Sequence, residues 1–121
     1  MTTKFRIDPA LAEEEFGMRC QRLVPWDGGD EPPVGAMACF LPAGASSDPD
    51  RHSQVEVMFV LGGAGRVELE GESTDVTAGD VVVLPGGLEH VVHNPGAAGA
   101  ATLSWLSVYW PLHEDPREVA A

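Results

Sequence analysis

The chain has 121 residues, with 19 acidic against 7 basic side chains and a formal net charge of −12. A surface of that sign repels phosphate backbones and anionic lipid, which argues against nucleic acid and membrane surfaces as partners. At 44% hydrophobic residues one domain can bury a core, and 14 glycines and 10 prolines demand many turns, favouring short strands over long helices.

The N-terminus, MTTKFRIDPALAEEE, has no apolar signal core, and no apolar run approaches the roughly 18 residues of a membrane span, so a cytoplasmic protein is expected. Residues 1–33 read as an N-terminal extension. Asp8 caps a short helix with Pro9 at its first position, Ala10–Phe16 form about two turns, and Gly17 ends them. Arg19–Val24 alternate as a first strand, and Pro25–Pro33 form a loop. Cys20 and Cys39, far apart in sequence, make neither a disulfide framework nor a zinc-finger pattern, and buried, reduced thiols are expected.

From Val34 onward the chain is strand and turn, and residues 34–110 are assigned to a barrel. Strands are expected at Val34–Leu41, Arg51–Leu61, Arg66–Glu70, Ser73–Thr77, Val81–Leu84, His90–His93 and Ala101–Trp110, with Val81–Leu84 buried. No βαβ alternation is visible, so the expected closure is a sandwich or small barrel. The tail, residues 111–121, is polar and expected to fray. Along Arg51–Leu61, Asp50, His52, Gln54, Glu56, Met58 and Val60 share one face. From Val57 on, the opposite face is apolar too, which points to burial on both sides, behind a second sheet or a partner subunit.

Asp50, His52 and Glu56 can project toward the interior, and the rigid turn Pro85-Gly86-Gly87 delivers His90 to the same place. Two imidazoles and carboxylates suit a first-row divalent metal. A regular strand would separate residues 52 and 56 by about 13 Å, so shared ligation requires a bend near Ser53–Val55. His93, one residue off the useful parity, should face away. Gln54, Met58, Met37 and Trp105 are the candidate substrate contacts, and Arg51 and Arg66 are the basic residues expected nearest the barrel.

These residues carry a resemblance. Gly79, Pro85, Gly87, His90 and Asn94 match every fixed position of the second cupin motif, G-x5-P-x-G-x2-H-x3-N. Gly44, His52, Glu56 and Gly63 match the first, with Asp50 standing where the family usually has its first histidine. The resemblance implies an all-β jelly-roll β-barrel, usually dimeric, with a metal held by His52, Glu56 and His90. Asp50 is a further ligand, directly or through water, or a catalytic base, or the sign of a site that has lost its metal.

One divalent metal ion follows from that likeness, zinc being favoured, with iron, manganese and nickel as alternatives. The segments PVGAMACFL, RHSQVEVMFVLGGAGRVELEGE and LSVYW resemble stand-alone cupins of bacterial natural-product pathways. Some of these act beside synthetase-like partners and rearrange an aminoacyl-hydroxylamine ester to form an N–N bond. The alternatives are a polyketide cyclase or oxygenase cupin, and a non-catalytic small-ligand-binding cupin.

Overall fold

The structure, a computed structural model, describes residues 2–114. Nine strands follow one another: β1 Glu13–Glu15, β2 Met18–Val24, β3 Gly35–Leu41, β4 Val55–Gly62, β5 Ala64–Leu69, β6 Glu72–Thr77, β7 Val81–Leu84, β8 His90–His93 and β9 Leu103–Trp110. They form a six-stranded sheet in the order β1-β2-β3-β9-β4-β7 and a three-stranded sheet in the order β6-β5-β8. All pairings are antiparallel, and the two sheets face each other as a jelly-roll barrel.

The alternation along each strand decides which side chains fill the barrel. From the large sheet come Cys20, Cys39, Leu41, Met58, Leu84 and Trp105. Val67, Val76 and Val92 meet them from the small one. Register lines the inner face into rows across four strands. One row runs Cys20, Cys39, Trp105, Val60; the next runs Arg22, Met37, Ser107, Met58; the third runs Gly35, Tyr109, Glu56, Leu84. Behind the sheet, Leu23, Ala36 and Ala38 form a second cluster. Gln21 shares that outer side and ties the N-terminal segment to it, its amide bonding Arg6 O at 2.7 Å and Asp8 N at 2.8 Å.

Four expectations are corrected. The N-terminal helix shrinks to one 3-10 turn, Pro9–Leu11, capped by Asp8 as anticipated. Glu13–Glu15 are strand because Phe16 and Gly17 both take positive φ, 56° and 72°, turning the chain back on itself as a hairpin. Val81–Leu84 is an edge strand, with Val81 and Val83 exposed. No second sheet covers the outer face of β4 among the described residues, which removes one of the two expected covers: Phe59 is 39% and Leu61 52% exposed. The tail does not fray where it is described. Leu112 N donates to Pro33 O at 3.0 Å, and the Gln54 amide donates to Pro111 O and Leu112 O. Residues 115–121, the rest of the expected tail, lie outside the described residues.

No helix among the described residues is long and apolar enough to cross a membrane.

Candidate metal centre

The site forms where the two motif segments are sewn together. Asp50 and His90 exchange backbone hydrogen bonds of 3.0 and 2.9 Å, and Gly87 N donates to His52 O at 2.7 Å. The strand expected from Arg51 begins only at Val55, and Arg51–Gln54 is irregular. That bend is the one the spacing requires, and it packs tightly: a Cβ at Gly86 would lie 2.1 Å from Ser53 O, so only glycine lets the two segments approach. A regular strand would hold the two Cα atoms ~13 Å apart; with the bend, the side chains meet directly, His52 Nε2 to Glu56 Oε1 at 3.1 Å.

Asp50, His52 and His90 each offer one donor atom, and these lie within 4.8 Å of one another. Asp50 Oδ2 is 3.9 Å from Nε2 of both histidines, and Glu56 Oε1 is 3.9 Å from His90 Nε2. Two imidazole nitrogens with the Asp50 carboxylate, and with Glu56 Oε1 against the same two nitrogens, fit a divalent cation by donor type and by spacing.

Each donor is held differently. His52 Nδ1 faces Gln54 O at 3.0 Å, which aims Nε2 inward. With acceptors at both nitrogens the ring favours its imidazolium form. The hydrogen bond to Glu56 raises its pKa above the usual value, outweighing burial. Burial pushes the Glu56 carboxyl up, but hydrogen bonds from His52 and Ser107 and the nearby His90 outweigh it and hold the group below its usual range. The second Glu56 oxygen accepts from Ser107 Oγ at 2.8 Å, and Ser107 Oγ accepts from Trp105 Nε1 at 3.0 Å. An indole only donates, so the serine proton is committed to Glu56 and leaves Oε1 facing the histidines. His90 Nδ1 is buried without a hydrogen-bond partner among the described residues; its ring is fixed by edge packing on His52, centroids 5.0 Å apart.

The donors open onto a cavity of about 380 Å³. Phe16, Met18, Met37, Val92, Trp105 and Leu112 give it apolar walls. Of the expected substrate contacts, Met37, Trp105 and Gln54 line it. Gln54, however, spends its amide nitrogen on the C-terminal segment. Met58 does not line it: two residues deeper along β4 than Glu56, it is fully buried in the core. His93 faces away as expected, with Nδ1 2.7 Å from Ser46 Oγ on the outside.

Arg22, His113 and Glu114 are among the lining residues that were missed. Arg22 is the basic residue of the cavity, whereas Arg51 pairs with Glu70 and Arg66 with Asp75 outside it. Its parity with Met18 and Cys20 was the available signal. His113 and Glu114, assigned to a solvated tail, line the mouth, and Glu114 Oε1 accepts from Ser53 N at 2.7 Å on the bend. No local pattern announces that return.

The comparisons agree with this geometry. A cupin 2 conserved barrel domain protein from Salinispora arenicola superposes with a TM-score of 0.80 at 28% identity, over 99% of this chain and 94% of that one. The plu4264 protein of Photorhabdus luminescens superposes with a TM-score of 0.80 at 23% identity, over 99% and 93%. An uncharacterised protein of Streptomyces coelicolor is 37% identical over 54 residues, 45% of this chain and 51% of that one, so the match spans about half of that relative. The model of the cupin domain matches residues 37–109, which run from the inner face of β3 to Tyr109 and enclose all four donors. With well over half its length so matched, the chain belongs to the cupin family.

Proposed function

We propose that this chain is a metal-dependent enzyme acting on a small, partly apolar molecule, with His52, Glu56 and His90 holding one divalent cation and Asp50 beside them. The observation that carries the reading is the meeting of donors at a cavity of about 380 Å³: Glu56 Oε1 lies 3.1 and 3.9 Å from Nε2 of His52 and His90, and donor atoms of Asp50, His52 and His90 lie within 4.8 Å of one another. Zinc suits the set, and iron, manganese and nickel accept the same donors. A cation there supplies Lewis-acid polarisation of a ligand oxygen or, as iron, oxygen activation.

The protein's own groups divide the remaining work. Ser107 fixes the Glu56 carboxylate. Met37 and Trp105 exclude water from one wall. Asp50, with the most exposed side chain of the four at 32%, is the group free to take a proton from a bound molecule. Within this class, the sequence resemblance favours rearrangement of an aminoacyl-hydroxylamine ester, beside a synthetase-like partner in a bacterial pathway, over polyketide cyclisation or oxygenation. The carboxylate at position 50 in place of imidazole favours one competing reading, a non-catalytic ligand-binding cupin.

A cytoplasmic homodimer belongs to the same proposal. Phe59, Leu61, Val81 and Val83 form a continuous exposed face across paired strands β4 and β7. None of them is charged, on a chain of net charge −12, so two copies meet there with least repulsion.

Elemental analysis of tag-free protein, with turnover of an aminoacyl-hydroxylamine ester by wild type and Asp50→Asn, tests the reading. Near-stoichiometric metal in both, with turnover only in wild type, is expected. Absence of metal after growth in supplemented medium overturns it, and metal without turnover of any ester, polyketide or dioxygen-dependent substrate selects the non-catalytic role.

A further inference from the structure

The wall of the cavity across the large sheet holds a second polar pair. Tyr109 on β9 lies opposite Gly35 on β3, and Arg22 lies one strand further, on β2. A Cβ at Gly35 would stand 2.3 Å from Tyr109 Cζ. The missing side chain is therefore what lets the phenol ring lie across β3. Its hydroxyl reaches the neighbouring strand and accepts from Arg22 Nη1 at 2.9 Å.

That contact leaves donors to spare. The hydroxyl oxygen is occupied by an arginine N–H, so its own proton is free to donate, and among the described residues it meets no protein acceptor. The guanidinium has five N–H groups. One goes to Tyr109 and one to Glu15. Glu15 sits on the three-residue edge strand β1, and the ion pair is solvent-exposed, with side-chain exposures of 50% for Arg22 and 33% for Glu15. An exposed pair of this kind contributes at most about 1 kcal/mol, so its carboxylate is a displaceable occupant.

The charge around the cavity narrows what Arg22 is for. Asp48, Asp50, Glu56 and Glu114 line it, with His52, His90 and His113; Arg22 is the one permanent cation among the described lining residues. A cationic ligand gains nothing from a guanidinium at this wall, and a neutral one gains only an ordinary hydrogen bond to a single acceptor. An anionic one gains more, through charge-assisted, bidentate hydrogen bonds. The acidic surface slows the approach of an anion, but its field is screened over about 8 Å at physiological salt, whereas the contact itself is short-ranged.

We propose that Arg22 and Tyr109 form a subsite for a carboxylate or similar small oxyanion on the ligand, placing the rest of that ligand toward Asp50, His52, Glu56 and His90. The subsite deepens the reading of the cavity as a small-molecule site. It makes Arg22 a specificity-determining residue and Glu15 the group that holds its place when the cavity is empty of ligand.

Benzoate and benzamide, matched in shape and differing in charge, are the probes, titrated against purified full-length protein with Trp fluorescence or ligand-observed NMR as readout. Benzoate is expected to bind more tightly. Arg22→Gln should lower benzoate affinity about ten- to a hundredfold and benzamide affinity much less, since a hydrogen bond to a charged group contributes about 1.5–3 kcal/mol. Glu15→Gln should tighten benzoate by removing its competitor, a gain that a merely structural salt bridge would not give. Tyr109→Phe should weaken benzoate less than Arg22→Gln.

Equal binding of the two probes, no benzoate binding up to its solubility limit, or a benzoate preference that survives Arg22→Gln would overturn the subsite. In the last case the anion is taken by the metal centre, and the metal reading stands. If the protein instead holds no metal while Arg22→Gln still abolishes the preference, the metal reading fails and the subsite stands.

Discussion

Strand β4 shows its two faces to two different environments. Inward, Glu56, Met58 and Val60 are buried and end at the donor set. Outward, Phe59 and Leu61 are exposed, beside Val81 and Val83 of β7. From Val57 on both faces are apolar, yet among the described residues only the inner one is closed. An apolar outer face on a half-exposed strand pair is a surface that gains by meeting another. The inner face carries the core and the proposed metal site, and the outer face is the proposed surface of association.

The largest effect separates the metal donors from everything else. His52→Ala and His90→Ala are each expected to drop metal content from near one per chain to near none by elemental analysis, with the far-UV circular dichroism of a β-barrel retained. Next come neighbouring residues on the two faces. Met58→Ala should cost about 2–5 kcal/mol in chemical denaturation, because its side chain is fully enclosed. Phe59→Ala, one residue along, should cost much less at concentrations where the protein is a single chain. If the two costs are equal, the outer face is not the open one.

Ser107→Ala tests the support behind the donors. Removing the proton that fixes Glu56 should weaken metal affinity about ten- to a hundredfold in chelator competition. Ser107→Thr, which keeps the hydroxyl, should restore it; a purely structural loss would not be so rescued. On the outer face, Val83→Lys should shift a dimer to monomer in sedimentation while unfolding free energy per chain moves within about 0.5 kcal/mol.

The smallest effect is in pH. The folded His52 pKa lies above its ordinary 6.5. In chelated protein its pairing with Glu56 therefore stabilises fully below 6.5 and is lost as pH rises through the raised value. Chelated protein should lose some thermal stability across that window, and Glu56→Gln should flatten the profile. Metal-loaded protein should not show the loss, since the metal takes the proton's place at Nε2.

Much of this could be read without coordinates, and the limits have a physical pattern. The strand order from β3 to β9, the second motif from Gly79 to Asn94, and the need for a bend between His52 and Glu56 all rest on local spacing. Asn94, the last fixed position of that motif, serves the backbone: its amide donates to Leu41 O and Ala101 O and accepts from Gly96 N. What local spacing does not carry is register between distant strands. Cys20 and Cys39 are buried free thiols as expected, but that they are direct cross-strand partners with sulfurs 3.9 Å apart is a matter of register. Arg22 enters the cavity, and Tyr109 reaches it, only because β2, β3 and β9 lie side by side. The return of Glu114 to Ser53 is tertiary in the same sense. The helix expected over Ala10–Phe16 failed for another reason: a run of glutamates favours helix locally, but the Phe16–Gly17 turn commits it to a hairpin.

The central claim is that the bend at His52 and the turn before His90 build one metal site. Anomalous diffraction at the metal's absorption edge, from crystals of metal-loaded protein, tests it most directly. A single peak at about 2.0–2.2 Å from Nε2 of His52 and His90 and from a Glu56 oxygen is expected. Metal-loaded crystals with no peak there, or with the peak on surface carboxylates, would contradict it.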